Sequence, residues 1–263
     1  MTDPGAEFNR LTGIMRKLLG PGGCPWDRQQ TPDTVRAHLL EETYEVLAGL
    51  DERNPASVRE ELGDVLYQVV FLSALFEKDG AFDAAGVISG IADKLVRRHP
   101  WVFGDASVSS PDDAIRNWEK LKGDERQGKK KDSVLDGIPP ELPALLKAHR
   151  LASKAARVGF DWPDADAVLR KLDEEMGEFR EVVRAGDTRR VEDELGDILF
   201  TLANVARKLD IDPESALRRT NEKFVRRFKY VEKTLRAQGK APETATLDEM
   251  EALWQEAKGT DPK

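Results

Sequence analysis

Glu61-Leu62-Gly63-Asp64-Val65-Leu66 recurs 133 positions later as Glu194-Leu195-Gly196-Asp197-Ile198-Leu199. The acids upstream recur with it. Glu42-x2-Glu45 precedes the first stretch by fifteen residues, and Glu175-x2-Glu178 precedes the second by the same fifteen. The flanks match as well, Leu40-Glu41-Glu42 against Asp173-Glu174-Glu175. A fixed-period repeat decides the architecture before any local reading does.

Residues three apart on a helix share a face, so each Glu-x2-Glu or Glu-x2-Asp pair points one way. The midpoint of both Glu45/Glu61 and Glu42/Asp64 is residue 53, inside Asp51-Glu52-Arg53-Asn54-Pro55. Asn54 reads as an N-cap and Pro55 as a first helical residue. The second midpoint is Gly186, in Ala185-Gly186-Asp187-Thr188. Each acidic set is thus symmetric about a turn between two helices. In an antiparallel pair the four carboxylates come level, roughly 12–16 Å from the turn at 1.5 Å per residue.

Helices are expected throughout, giving an all-α chain of two tandem repeated helical domains. Thr31-Pro32, Ser110-Pro111 and Asp212-Pro213 each offer an N-cap followed by proline, and Thr246-x2-Glu249 is a capping box. Phe8, Leu11, Ile14, Met15, Leu18 and Leu19 form a helical stripe. No alternating strand pattern appears. Gly123 to Ser133 is polar and rich in Gly and Lys, and reads as a linker. The expected boundaries are an N-terminal domain at 1–122, a linker at 123–135 and a C-terminal domain at 136–263.

The acids are not an ordinary solvated face. Glu42 has Leu39 and Val46 at i−3 and i+4, and Glu61 has Val58 and Val65. Glu175 is flanked by Leu172 and Phe179, and Glu194 by Val191 and Ile198. Charge on an apolar border is costly unless it is paired. Two carboxylates 6 Å apart repel by roughly 3 kcal/mol at an effective dielectric near 20. A cation, or bound protons, must offset four of them. The candidate metal ligands are Glu42, Glu45, Glu61 and Asp64 in the first copy, and Glu175, Glu178, Glu194 and Asp197 in the second. Hard oxygen donors suit Mg²⁺, Mn²⁺ or Ca²⁺. A ferritin-like di-iron bundle would need Glu-x-x-His pairs. His38, His99 and His149 are preceded at i−3 by Val35, Val96 and Leu146, so none exists.

Basic residues repeat too. Lys94-Leu95-Val96-Arg97-Arg98 matches Lys223-Phe224-Val225-Arg226-Arg227, and Trp118-x3-Lys122 matches Trp254-x3-Lys258. Lys94/Arg98 and Lys223/Arg227 are i,i+4 pairs that can meet phosphate, and an indole beside an ammonium can stack on a base. Taken singly, each tryptophan reads better as core packing; it is the recurrence of both sets in both halves that points to a ligand. Gly20-Pro21-Gly22-Gly23 lacks the Lys-Ser/Thr of a phosphate-binding loop and reads as a plain loop.

These residues together resemble the MazG family of bacterial nucleoside triphosphate pyrophosphohydrolases in its full-length two-domain form. The resemblance runs from Phe8 to Lys258. It takes in Gly23-Cys24-Pro25-Trp26-Asp27, both acidic sets, Arg97-Arg98-His99-Pro100, Val158-Gly159-Phe160-Asp161-Trp162 and Asn221-Glu222-Lys223-Phe224. It implies helical bundles completed by dimerisation, Mg²⁺ as cofactor, and hydrolysis of a nucleoside triphosphate to monophosphate and pyrophosphate; the hard oxygen donors admit Mn²⁺ as a substitute. By that resemblance Glu175, Glu178, Glu194 and Asp197 hold the metal, and Glu174 is a further catalytic candidate as ligand or base. Lys223 and Arg227 contact the triphosphate, and Trp254 and Lys258 close over the nucleotide. Lys94, Arg98, Trp118 and Lys122 are the first-copy counterparts. Ala92 stands where the second copy has Asn221, and His99-Pro100 breaks a helix that continues as Phe228-Lys229-Tyr230. The second copy is therefore the expected main catalytic one.

A net charge of −8 and a pI of about 5.2 argue against broad nucleic-acid or anionic-membrane binding. There is no span-length apolar run and no signal-like start, so a cytoplasmic location is expected. One cysteine, Cys24, excludes an internal disulfide framework. The rival reading is a non-catalytic helical module that senses nucleotides or binds a protein. Retention of four acids and matched cations in both copies disfavours it.

Overall fold

The computed structural model describes residues 3–125 and 133–259; the lysine run of the expected linker lies outside them. The chain divides into two compact units, Met1–Lys129 and Lys130–Lys263. Among the described residues there are helices and no strand.

In the first unit, α1 (Pro4–Leu19) leads through a loop to α2 (Pro32–Asp51), α3 (Pro55–Lys78) and α4 (Ala84–Arg98). A single turn, α5 (Pro100–Phe103), precedes α6 (Pro111–Asp124). The starts obey local chemistry. Thr31 and Thr34 form a reciprocal capping box at α2, and Asn54 accepts from the Ala56 and Ser57 amides at α3. Helices α2 and α3 pair antiparallel along their length. Gly49 permits their close approach near the turn, where an added Cβ would meet Ser57 Oγ at 3.0 Å and Val58 Cγ2 at 3.1 Å. Met15 and Leu19 of α1 close the core against Val35, Val70, Phe71 and Leu75, so that core lies at the end of the hairpin away from its turn.

The second unit repeats the hairpin. Helix α7 (Ala144–Ala156) packs on α9, and α8 (Ala165–Ala185) pairs with α9 (Thr188–Lys208). Helix α10 (Pro213–Ala237) runs unbroken and packs on α11 (Leu247–Gly259) around Val231, Leu235 and Leu253. Thr246 and Glu249 form the expected capping box. The loop before α8 is anchored by Asp161, which accepts from Lys208 Nζ at 2.8 Å and from Arg207.

Both turns hinge on one left-handed residue at the sequence midpoint, Arg53 (φ 53°) in the first and Gly186 (φ 72°) in the second. A side chain in that region costs roughly 1 kcal/mol. Arg53→Gly is therefore expected to raise the stability of the first unit by about 0.5–1 kcal/mol. Gly186→Ala is expected to lower that of the second by about 1 kcal/mol, a backbone cost, since its Cβ would meet nothing within 4 Å. Urea denaturation of the two variants checks both signs.

Candidate metal centre

Each hairpin gathers three of its four acids. Glu42, Glu45 and Glu61 bring one oxygen each within 4.8 Å of the others, and so do Glu175, Glu194 and Asp197. The shared members are the equivalent pairs Glu42/Glu175 and Glu61/Glu194; the third comes from α2 in the first copy and from α9 in the second. Asp64 and Glu178 stand outside these sets. Both remain close enough for their charge to be felt, Asp64 at Glu42 and Glu178 at Glu194.

The carboxylates strain against one another. Removal from water, then the carboxylates of Glu178, Asp197 and Glu175, push the Glu194 carboxyl above its ordinary range. Glu42 is raised by desolvation and then by Asp64, Glu45 and Glu41. Glu61 is raised by desolvation and by Glu45, with which it also shares a hydrogen bond. A carboxyl raised on folding stabilises the fold while protonated. That contribution is lost as pH rises from the ordinary 4.5 through the raised value. In chelator, Glu194→Gln is expected to melt higher than the unaltered chain at pH 7, with the gap closing towards pH 4.5. Saturating Mg²⁺ should reverse the order at pH 7. Thermal melts across pH, with and without metal, check this; a variant that never exceeds the unaltered chain in chelator would overturn it.

Sequence reading missed one member of this site. Lys171 Nζ bonds Glu174 Oε1 at 2.7 Å and the buried Glu175 Oε1 at 2.9 Å. Its ammonium is pushed well above the usual lysine range by those two carboxylates. The i,i+4 spacing Lys171-x3-Glu175 carried the signal. The equivalent position in the first copy is His38, 3.8 Å from Glu41. Glu174 is exposed and lies outside the gathered set. The donors suit a hard divalent ion: all are carboxylate oxygens, and the 4.8 Å spread is of the order set by metal–oxygen bonds of about 2.0–2.6 Å.

The basic residues and indoles take different settings in the two units. Arg227 of α10 lies over the Trp254 ring, 5.7 Å from its centroid. Phe224 packs against the same ring at 5.1 Å, and Trp254 also joins the Val231/Leu235/Leu253 core. Trp254 is thus both packing residue and cation platform. Lys223 and Lys258 are exposed. In the first unit Arg98 lies 5.3 Å and Lys122 4.7 Å from the Trp118 centroid, and Lys94 is half-buried. Arg98 is also held by Glu125, a partner that sequence spacing does not indicate.

The duplicated hairpin is matched by known proteins. The family model described as the MazG nucleotide pyrophosphohydrolase domain matches residues 30–103 and again 164–232, each match containing one acidic set and one basic pair. A Thermotoga maritima protein named nucleoside triphosphate pyrophosphohydrolase/pyrophosphatase MazG is 44% identical over 99% of this chain and 99% of its own. A nucleoside triphosphate pyrophosphohydrolase of Escherichia coli K12 is 42% identical over 96% of this chain and 97% of its own. A Bacillus subtilis protein named YabN and described as uncharacterized is 46% identical over 97% of this chain and 52% of its own. With the domain present twice and full-length relatives at this identity, the chain belongs to the MazG family of nucleotide pyrophosphohydrolases.

Proposed function

We propose that the protein hydrolyses nucleoside triphosphates to monophosphate and pyrophosphate in a Mg²⁺-dependent reaction at the second acidic hairpin, with Mn²⁺ as a substitute metal. The observation that carries this is the convergence of Glu175, Glu194 and Asp197 within 4.8 Å, in a chain whose full-length relatives bear that activity in their names. Glu178 completes the ligand shell. Bound Mg²⁺ would neutralise phosphate oxygens and acidify or orient a water. Lys223 and Arg227 hold the triphosphate, and Trp254 and Lys258 border the nucleotide. Glu174 or a neighbouring carboxylate takes the proton as water oxygen bonds to the α-phosphorus. The bond from that phosphorus to its bridging oxygen then breaks, and pyrophosphate leaves with its charge matched by Lys223 and Arg227. Positioning and electrostatics do the work, with no covalent step on the protein. The first copy binds or supports more than it hydrolyses.

The protein works as a homodimer in nucleotide-pool cleansing or nucleotide-level control, in the cytoplasm where those pools lie. Support for the dimer comes from a repeated exposed stripe, Leu62, Leu66 and Val69 on α3 and the equivalent Leu195, Leu199 and Leu202 on α9. Two helices leave such a face uncovered, and a second copy would complete the bundle. No described helix is long and apolar enough to cross a membrane.

Product analysis with a panel of triphosphates, in Mg²⁺ and in chelator, is the direct test. Monophosphate plus pyrophosphate only with metal is expected. Diphosphate plus orthophosphate would overturn the assignment.

A further inference from the structure

The two copies part company at His99-Pro100. Helix α10 continues through Phe228, whereas α4 stops at Arg98, because Pro100 has no amide to donate and His99 turns to φ −124°, ψ 56°. The single turn α5 then sets the Trp101 ring 5.3 Å from His99, nearly edge-on. His99 Nδ1 lies 2.7 Å from the Leu95 carbonyl oxygen, which fixes the ring. With Ala114, Ile115 and Trp118 of α6 these rings line a cavity of about 410 Å³.

Beside it, Glu125 at the C-cap of α6 bonds both arginines of α4. Arg97 Nε donates to Oε1 at 2.7 Å, Arg98 Nε to Oε2 at 2.9 Å, and Arg98 Nη2 adds a second bond to Oε2. The two guanidinium groups hold that carboxyl down at about 2, so it is ionised at any physiological pH. Two oxygens facing two guanidinium groups is the arrangement a phosphate also presents. The Arg98 guanidinium in turn lies over the Trp118 ring that lines the cavity. An aryl-lined cavity joined through one arginine to an anion position has the two parts a nucleotide needs.

We propose that the His99/Trp101/Trp118 cavity, together with Arg97 and Arg98, is a nucleotide-binding site of the first copy, in which Glu125 stands in for the phosphate and is displaced when a nucleoside phosphate binds. The site requires no hydrolysis, and it rests on the proposed function only for the class of its ligand. Its affinity is set by competition. The ligand binds the fraction of molecules in which Glu125 has released the arginines, which lowers the apparent affinity by that fraction.

Calorimetric titration of the full chain with α,β-methylene-ATP and Mg²⁺ tests this, since the methylene bridge blocks cleavage at the α-phosphorus. Glu125→Gln is expected to tighten a second class of site by about tenfold or more, by removing the competing charge. Adding Trp118→Leu should abolish that class, and adding Trp254→Ala should leave it. An isotherm for Glu125→Gln that matches the unaltered chain overturns the proposal, as does a gain lost with Trp254 and not with Trp118. Should Glu125→Gln lose helical signal, Trp118→Leu in the otherwise unaltered chain decides. Weak binding at millimolar ligand should vanish there, and its persistence would overturn the site. Failure of the proposed function shows elsewhere, as absence of the tighter class in the unaltered chain.

Discussion

Asp197→Asn is expected to lower Mg²⁺-dependent turnover by about a thousandfold, with circular dichroism and melting temperature little changed. The metal's stabilisation of transition-state charge is worth several kcal/mol, and each 1.36 kcal/mol is a factor of ten. Asp197 is exposed, so its loss removes charge from the site without opening the core. Glu175→Gln and Glu194→Gln should fall in the same range, because all three carboxylates converge. Glu178 stands outside the converged set, and Glu178→Gln should show mainly as weakened Mg²⁺ affinity, about 10–100-fold, so that more metal is needed for full rate. The matched variants Glu42→Gln and Asp64→Asn in the first copy should leave most of the rate. Steady-state rates over a Mg²⁺ titration separate these outcomes. Equal losses in both copies would move the reaction away from the second hairpin alone.

Removing Arg227 should be the next largest effect. Hydrogen bonds to charged groups contribute about 1.5–3 kcal/mol, so Arg227→Ala is expected to lower kcat/KM by about 10–100-fold. Arg227→Lys should recover only part of this, because lysine keeps the charge but not the planar group that lies over Trp254 at 5.7 Å. Trp254→Ala should differ in kind. That ring packs on Val231, Leu235 and Leu253, so the variant should also lose about 2–3 kcal/mol of stability. A melt run beside the kinetics distinguishes the two: Arg227→Ala at unchanged melting temperature, Trp254→Ala clearly lower. If Arg227→Ala kept the full kcat/KM, the triphosphate contact would be assigned wrongly.

The fold was legible because it is written in local rules. Asn54 and Asp187 cap the inner helices of the two hairpins, Thr31, Ser110 and Asp212 cap others, and Pro100 ends α4, each by chemistry confined to a few neighbouring residues. The 133-residue repeat then predicted two hairpins carrying acids at one level. Which three of four acids meet was not legible. Spacing puts Glu45 and Glu178 at equivalent positions, yet the first set includes Glu45 and the second takes Asp197. That choice depends on helix rotation and on side-chain torsions, which period does not encode. Lys171 was within reach of an i,i+4 reading, but a search for acids passes over a lysine. Glu125 was not within reach, since its bonds to Arg97 and Arg98 span 28 and 27 residues and exist only once α4 and α6 pack.

The left-handed midpoint residue at each hairpin turn bears on how the duplicated halves can drift in length. One residue inserted at the turn would rotate one helix of the pair by about 100° and slide it 1.5 Å, putting its acids out of phase with those opposite. Side-chain identity at the turn has no such consequence, as Arg53 and Gly186 show. Insertions and deletions should therefore be confined to the connections outside the hairpins, and this chain records that outcome. The offset between copies is 133 for every acid, falls to 129 at Lys94/Lys223 and rises to 136 at Trp118/Trp254. A designer grafting a new loop into either half would find room after α3 or α9, and none at residues 53 or 186.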